Sequence, residues 1–257
     1  NDLDFGTVDD HLFKDTVLRG TPNWAGSETP GTTRIPSACK KSILELFLCL
    51  FPLWIWDKIV VETNEYARVA MEKSFYPNQR AWVPLTIGEL LVWIGICVGI
   101  SVFGSRGAIE LFWAGFTFGG FTYPDLSKVM HLTRWQQIKR FLHLRDNTGR
   151  PPMDTRGGRL WQCEWLEVAL TKLAKECWNP DKCMCLDERS VPSRHKYNPV
   201  RVFNKDKPHK FACNQQSLVD AKGYQYHSWI YDRIKCKGLE VKILMMFMKA
   251  LPHKGFR

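Results

Sequence analysis

The sequence predicts an α+β protein in which a mostly helical region is followed by a strand-rich one. Three observations predict this. Apolar residues recur at helical spacing up to about residue 180, capping-box pairs precede several of these runs, and β-forming residues dominate from residue 183 onward. Hydrophobic residues make up 45% of the 257 positions, which is typical of a globular protein with a sizeable core.

Three regions are expected along the chain. Residues 1–36 end in a cluster of Gly, Pro, Ser and Thr, which predicts an irregular lead-in. Residues 37–180 are predicted to be helical. Residues 181–257 are predicted to form three strands and one helix and then to stop, so this last region should be incomplete.

The helical region is divided by its capping and breaking residues. Pro52 should end the first helix, and a second is predicted from Leu53 to about Lys73. A turn-rich connector is predicted over 149–158, before a helix from Leu160 to about Cys177. Helix starts are predicted at three capping boxes: Ser42 with Glu45, Thr86 with Glu89, and Thr133 with Gln136. After the third box, Trp135, Ile138 and Leu142 recur at helical spacing and predict a core-facing stripe.

Short β-forming segments follow the helices. Cys183–Asp187 is predicted to be a buried, central strand, and Phe211–Val219 and Tyr224–Tyr231 should pair as a hairpin around a turn at 220–223. Leu239–Leu251 has helical spacing and is predicted to be the helix that follows.

Charge is distributed unevenly along the chain. The net charge is +10, yet residues 1–127 carry a net of −4, whereas residues 128–210 carry +9 and residues 211–257 carry +5. A positive surplus confined to the second half predicts a surface that binds a polyanion. A plain solvated basic surface is the competing interpretation.

Cysteine usage and hydropathy bear on the compartment. Nine cysteines without a repeated spacing favour a reducing, intracellular environment over a disulfide framework, and the acidic opening segment contains no visible signal peptide. The apolar runs at 46–56 and 90–103 are shorter than a membrane-spanning helix needs, so we expect no membrane association.

The candidate chemistry centres on Asp187 and Glu188 at the predicted end of the first strand. A carboxylate held rigidly by a sheet beside an open loop can bind a hard divalent cation. A solvated strand end is the alternative interpretation. A zinc site built from Cys177, Cys183, Cys185 and His195 is a further hypothesis, but the spacing lacks a C-x₂-C pair and buried free thiols are expected instead.

A dense basic segment follows this carboxylate pair. Tyr197 and Phe203 lie within it, so phosphate contacts and base stacking could occur on one surface. A solvated loop is again the alternative. Its seven cationic residues are Arg189, Arg194, Lys196, Arg201, Lys205, Lys207 and Lys210.

These segments, in this order, resemble the piggyBac-type transposases. The similarity extends from about residue 40 to the C-terminus and includes a Thr-Asn-x-Tyr-Ala-like segment, the helix with sequence WIGICVGI, and a helix that ends in a Leu-Arg-x-x-Asp-Asn-type turn. The matching segments are 62–67, 93–100 with Trp113, 134–147, Asp187-Glu188, the 207–210 turn, Gly223-Tyr224 and Tyr231.

The resemblance implies a ribonuclease H-like fold and a metal site of three Asp residues that cuts and joins DNA, normally with Mg²⁺, at ends flanked by TTAA. Asp187 matches the first catalytic Asp and would ligate the metal. The second and third are expected to have no position here, so the chain should be inactive alone. DNA is the expected partner, a homodimer is expected of the intact protein, no small-molecule cofactor is expected, and the nucleus is the expected location. The expected DNA contacts are Arg194, Lys196, Arg201, Lys207 and Lys210.

The sequence also departs from this family's pattern. Pro192-Ser-Arg194 stands where the family has Gly-Arg, Ala212 replaces a Gly, and Asn214 replaces a Lys. Asp232-Arg233 stands where a Gly commonly follows Tyr231, and Asp220 and Asp232 are interpreted as turn residues rather than substitute ligands. A relative that binds DNA without cutting it, and an unrelated basic helical interaction module, therefore remain the alternatives.

Overall fold

The computed structural model describes residues 31–35, 42–73, 80–103, 109–115, 117–118, 121–122, 124–181 and 183–234. The chain divides into two compact units. One consists of residues 54–146, and the other combines residues 1–53 with residues 147–257. We call them the helical unit and the sheet unit. None of the helices described is long and apolar enough to cross a membrane.

The helices are α1 (Ile43–Leu50), α2 (Leu53–Glu72), α3 (Ile87–Phe103), α4 (Leu132–Phe141), α5 (Arg156–Leu160) and α6 (Glu164–Cys177), with 3₁₀ turns at Ile109–Trp113 and Leu126–Lys128. The strands are β1 (Thr32–Thr33), β2 (Thr117–Phe118), β3 (Phe121–Thr122), β4 (Trp178–Asn179), β5 (Met184–Pro192), β6 (Arg201–Phe203), β7 (Phe211–Asp220) and β8 (Gln225–Ile230). Helix α2 begins at Leu53, the last residue before the helical unit.

Two of the three predicted N-caps are confirmed. The hydroxyl of Ser42 accepts a hydrogen bond from the amide of Glu45 at 3.1 Å, and the hydroxyl of Thr86 accepts one from Glu89 at 3.2 Å. The box at Thr133 is wrong, because α4 begins two residues earlier than that box predicts and His131 is its N-cap. The Nδ1 of His131 accepts a hydrogen bond from the Thr133 amide at 3.3 Å, so an imidazole has the capping role that the sequence assigned to the Thr133 hydroxyl.

The core of the helical unit is built from tryptophan and branched aliphatic side chains. Trp135, Ile138 and Phe141 of α4 are buried, so the predicted stripe is correct except that Phe141 replaces Leu142. The indole of Trp93 donates to the carbonyl of Trp135 at 3.1 Å, which lets a large polar aromatic side chain be buried with its donor satisfied.

Polar side chains close the loops of this unit. The Asn64 side-chain oxygen accepts from the Leu85 amide at 2.7 Å and from the Trp82 indole at 3.0 Å, while its amide donates to the Leu85 carbonyl. Arg134 forms a two-point pair with Glu89, at 2.6 and 2.7 Å, and its guanidinium lies 4.6 Å from the centroid of Trp82. The Asn64 side chain and the Arg134 guanidinium together hold the segment before α3 against α2 and α4.

The sheet unit contains one four-stranded antiparallel sheet. Strand β7 is at its centre, with β5 on one side and both β6 and β8 on the other. The predicted hairpin is confirmed, since β7 and β8 pair around a turn at 220–223 in which Gly223 has a φ of +82° that favours glycine. Strand β6 was not predicted, because it has only three residues within a segment rich in charge.

Other expectations are modified or lie outside the described residues. The connector predicted over 149–158 contains the start of α5, which ends at Leu160, and the helix predicted from Leu160 to Cys177 is α6, which begins at Glu164. Residues 31–35, at the end of the predicted lead-in, contain β1, which pairs with β4. The helix predicted at 239–251 falls outside the part of the chain that the structure describes.

Candidate active site

Asp187 lies in β5, beside the hairpin strands, as the sequence predicted. It is opposite Ser217 of β7, which is in turn opposite Ser228 of β8. The side chain is exposed, and its Oδ1 accepts a hydrogen bond from the amide of Glu188 at 2.7 Å. The carboxylate is therefore open to solvent while its backbone is held by the ladder.

Two details of the predicted strand are wrong. It was expected to be buried and to end at Asp187, but β5 continues to Pro192 and most of it is exposed. It was also expected to be central, but among the described strands β5 pairs only with β7 and forms the edge. The ladder continues because polar residues pair across it, with Arg189 donating to Gln215 and Ser190 bonded to Asn214 at 3.4 Å. A strand predicted from apolar residues alone therefore ends before Arg189 and Ser190.

Glu188 faces the opposite side of the sheet from Asp187. Its two carboxylate oxygens accept hydrogen bonds from the side-chain amides of Asn214, at 2.9 Å, and Gln216, at 3.1 Å. These amides hold Glu188 in place, so the two adjacent carboxylates have different surroundings. Asn214, which the sequence marked as a departure from the family's Lys, donates one of these bonds.

A cavity of about 380 Å³ lies on the same sheet face as Asp187. Alternation along the strands places Val191, Cys213 and Gln215 on that face together with Asp187. Residues from α5 and from the turn that follows it, Arg159, Leu160 and Cys163, also line this cavity. The candidate carboxylate thus shares its sheet face with a mostly apolar concavity.

A buried ionic cluster fixes the end of β8, and so the sheet. The Glu167 carboxylate accepts from the backbone amide of Ile230, and Arg156 donates to the carbonyl of the same residue at 2.7 Å. Arg156 also forms an ion pair with Glu167 and lies 3.6 Å from Asp232. Burial raises the pKa of Glu167 to about 7, although Arg156 opposes this shift.

The five predicted DNA contacts all lie in the sheet unit, on or next to the β6–β7 hairpin. Arg194 and Lys196 are exposed in the segment before β6, and Lys207 and Lys210 are exposed in the hairpin loop. Arg201 is in β6, and its guanidinium lies 4.4 Å from the centroid of Phe211. Within the described parts of the chain, none of the seven basic residues from Arg189 to Lys210 forms a salt bridge.

Phe203, which the sequence predicted as a base-stacking residue of the basic segment, is paired with a second aromatic residue that was not predicted as part of a site. Phe203 of β6 is directly opposite Phe211 of β7, with ring centroids 5.1 Å apart. From the sequence, Phe203 was expected among the basic residues, and Phe211 was assigned only to a strand. The basic residues enclosed by the two phenylalanines, Lys205, Lys207 and Lys210, were the signal that could have identified the pair.

Asp220 and Asp232 are turn residues, as predicted. Asp220 Oδ1 accepts from the amides of Lys222 and Tyr224, and Oδ2 accepts from the Trp178 indole at 2.6 Å. Asp220 is opposite Met184 rather than Asp187. The Asp232 Oδ1 accepts from the amide of Ile234, and its other oxygen faces Arg156.

The thiols of the zinc alternative have different environments. Cys177 is buried, which raises the pKa of its thiol to about 12, but Cys183 and Cys185 are exposed rather than buried as expected. In the described residues, no three His, Cys, Asp or Glu side chains converge as a metal-binding group. Asp187 is therefore a single candidate ligand in the part of the chain that the structure describes.

Comparison with known proteins gives three results. The family profile described as Transposase IS4 matches residues 43–253. The chain is 27% identical over 216 residues to the human PiggyBac transposable element-derived protein 5, covering 83% of this chain and 36% of that protein. A solved piggyBac transposase synaptic complex with hairpin DNA is similar in fold, with a TM-score of 0.69 and 16% identity, over 87% of this chain and 46% of that one.

The chain thus spans less than half the length of these two relatives. The profile nonetheless covers most of the chain, and the relative and the solved structure carry the same piggyBac name that the sequence motifs indicated. The mixed helical and antiparallel-sheet architecture agrees with the structural match. The chain belongs to the Transposase IS4 family, in its piggyBac-type group.

Proposed function

We propose that this chain forms the DNA-binding and front catalytic part of a piggyBac-type DNA transposase, whose intact form performs metal-dependent DNA cleavage and strand transfer. The observation that carries the proposal is the position of Asp187. It is an exposed carboxylate on an ordered strand, next to a hairpin whose basic residues have no carboxylate partner in the described structure.

The catalytic region would begin near residue 181 and have a ribonuclease H-like fold. In that assignment, β5, β7 and β8 are its first three strands. Their antiparallel pairing in the order β5-β7-β8 supports the assignment, because a strand bearing Asp187 with a hairpin beside it is what the fold requires. Residues 37–180 would form the preceding helical region.

Duplex DNA would lie along the basic segment. Arg194, Lys196, Arg201, Lys207 and Lys210 would contact phosphates. Lys and Arg side chains without carboxylate partners can neutralise DNA phosphates. This neutralisation releases the cations condensed on the DNA, and that release is the main source of sequence-independent DNA affinity. As the family resemblance implies, we also expect a nuclear location and a homodimer of the intact protein.

Asp187 would ligate Mg²⁺ in the intact protein. Two-metal phosphoryl transfer needs several converging carboxylates, and the described donor set offers one. The described residues alone therefore do not fit a complete metal site. What the metal would supply, once bound, is an activated nucleophile and stabilisation of charge at phosphorus.

DNA binding without catalysis is the second candidate. It is favoured by Asn214, which holds Glu188 where the family often has a Lys. The two candidates predict equal DNA binding and differ only in strand cleavage.

A binding assay with a blunt duplex tests what both candidates share. Measured by fluorescence anisotropy from about 50 to about 200 mM salt, the affinity should fall steeply, and Lys207→Gln with Lys210→Gln should reduce the logarithmic salt slope by about 2. Lys128→Gln is the matched control, because Lys128 is an exposed lysine of the helical unit, and its slope should equal that of the wild type. Affinity that does not depend on salt would contradict both candidates.

A nicking assay with Mg²⁺ on the intact protein separates the candidates, because this chain alone is expected to be inactive. Nicking by the intact protein that is lost in Asp187→Asn and retained in Glu188→Gln would support catalysis. Binding without nicking by the intact protein would support the second candidate. Nicking that survives Asp187→Asn would rule out the proposed role of this carboxylate.

A further inference from the structure

The β6–β7 hairpin exposes two phenylalanines that its fold does not cover. Phe203 and Phe211 form a cross-strand pair with rings tilted by 54°, and their exposed fractions are 59% and 46%. The pair stabilises the hairpin, and such pairs contribute about 0.2–1 kcal/mol. Stabilising the hairpin does not require both rings to be this exposed, so the exposed surface of the rings is available to a ligand.

The surroundings of the pair are cationic. The guanidinium of Arg201 lies against Phe211, and the hairpin loop that follows Phe203 carries Lys205, Lys207 and Lys210, with Asp206 as its one acidic residue. The loop is closed by a hydrogen bond from the Asn204 amide to the Lys210 carbonyl at 2.8 Å. Exposed rings and cations are thereby held on one short, ordered element.

This combination selects one class of ligand. An apolar protein surface would match the rings but leave the cations without partners. A blunt duplex would match the cations but not the rings, because each base of a duplex is already stacked on its neighbours. Unpaired DNA offers both phosphates and free base faces, and stacking on aromatic side chains is how proteins bind single strands without reading sequence.

We propose that Phe203 and Phe211 form a stacking site for unpaired bases of DNA, which the basic loop holds by its phosphates. The inference rests on the proposed function, since it assumes that this surface binds DNA. Phe211 and Ser217, the residue opposite Asp187, are on the same strand, about 20 Å apart at roughly 3.4 Å per residue. DNA with an unpaired tail stacked on the two phenylalanines would thus extend its duplex part toward Asp187.

Binding to three probes tests the proposal with the chain as it is: a single strand, the same duplex with an unpaired tail, and the blunt duplex. The double variant Phe203→Leu with Phe211→Leu should weaken binding of the first two by at least about tenfold, since stacking contributes about 1–3 kcal/mol per base. Binding of the blunt duplex should change by less than about twofold, because the lysines are intact.

Two control variants separate stacking on these rings from a general effect of losing an aromatic side chain. Phe203→Tyr with Phe211→Tyr keeps aromatic faces and should retain wild-type binding of all three probes. Phe103→Leu removes an exposed ring of similar exposure, 63%, that is tilted against Phe112 in the helical unit, and should have no effect.

Each remaining outcome is decisive. Equal weakening on all three probes by the Leu variant would mean that the pair only shapes the hairpin, and would overturn the inference. Unchanged binding of tailed DNA would overturn it too, while intact binding of the blunt duplex would leave the proposed function standing. Failure of the wild type to bind any probe would overturn both.

Discussion

The two units of the chain use their charged residues differently. In the helical unit, Arg68 bridges Glu65 and Glu72, and Arg134 is paired with Glu89, so these two arginines are neutralised by neighbouring carboxylates. In the sheet unit, the charges are segregated. One cluster contains Arg156 with two buried carboxylates, Glu167 and Asp232, and with the half-buried Glu164. The basic hairpin is exposed without a carboxylate partner among the described residues.

The comparison distinguishes charged residues that stabilise the fold from charged residues that are available to bind a ligand. A buried cluster determines where a strand ends but offers nothing to a ligand, whereas exposed unpaired cations contribute little to folding and favour a polyanion. The helical unit should therefore respond to substitution mainly in stability. The sheet unit should respond in stability at its buried cluster and in binding at its hairpin.

The largest effect on stability is expected at Arg156. Arg156→Met would leave Glu167 and Asp232 buried without their cation and would remove the donor to the Ile230 carbonyl. We expect a loss of about 3–5 kcal/mol in the free energy of unfolding, measured by urea denaturation. Arg68→Met, which removes an exposed pair in the helical unit, should change it little. Equal effects of the two substitutions would break the distinction drawn between the units.

A smaller loss is expected at Asn64 in the helical unit. Asn64→Ala would remove three hydrogen bonds and leave the Leu85 amide and the Trp82 indole without this acceptor. The free energy of unfolding should fall by about 1–3 kcal/mol. Hydrogen exchange should show faster exchange at Leu85 while the amides of β7 remain as protected as in the wild type. Loss of protection across the sheet instead would contradict the assignment of Asn64 to the helical unit alone.

The N-cap of α1 should have a modest effect. Ser42→Ala would remove the acceptor for the Glu45 amide and cost about 1 kcal/mol, whereas Ser42→Asp should retain stability because Asp caps equally well. Thermal unfolding of both variants measures this. An Asp variant as unstable as the Ala variant would show that the cap is not what stabilises this helix.

The smallest net effect is expected from pH between about 4.5 and 6.5. Burial lowers the pKa of His227 to about 3, with Lys175 adding to the shift, so its contribution to stability grows as pH rises toward 6.5. Burial raises the pKa of Glu167 to about 7, so its contribution is complete below 4.5 and is lost as pH rises through 7. The two trends oppose each other in this window.

Single variants should reveal each trend. In His227→Gln, the free energy of unfolding should fall as pH rises from about 4.5 to about 7, and in Glu167→Gln it should rise toward about pH 6.5. Urea denaturation at several pH values provides the measurement. Parallel profiles for the two variants would show that neither buried group sets the pH response.

Local patterns predicted several helix boundaries in both units. Ser42, Thr86 and Pro52 locate helix starts and a break within a few residues, because capping and loss of an amide donor act over one turn. The β7–β8 hairpin was equally visible, since Asp220 and Gly223 favour a turn between β-forming residues. The full length of β5 and the existence of β6 were not visible in the sequence, because charged residues form these strands only when a central strand pairs with them.

The sequence by itself determined the family, the α+β composition, the strand that carries Asp187 and the basic segment after it, since each depends on residues close together in the chain. Only the tertiary structure decided that β5 is an edge among the described strands, that Arg156 and Glu167 clamp Ile230, and that Phe203 faces Phe211 in solvent. The physical reason is that pairing and burial depend on residues distant in sequence, and a charged or aromatic residue alone does not reveal whether its partner will be protein or ligand.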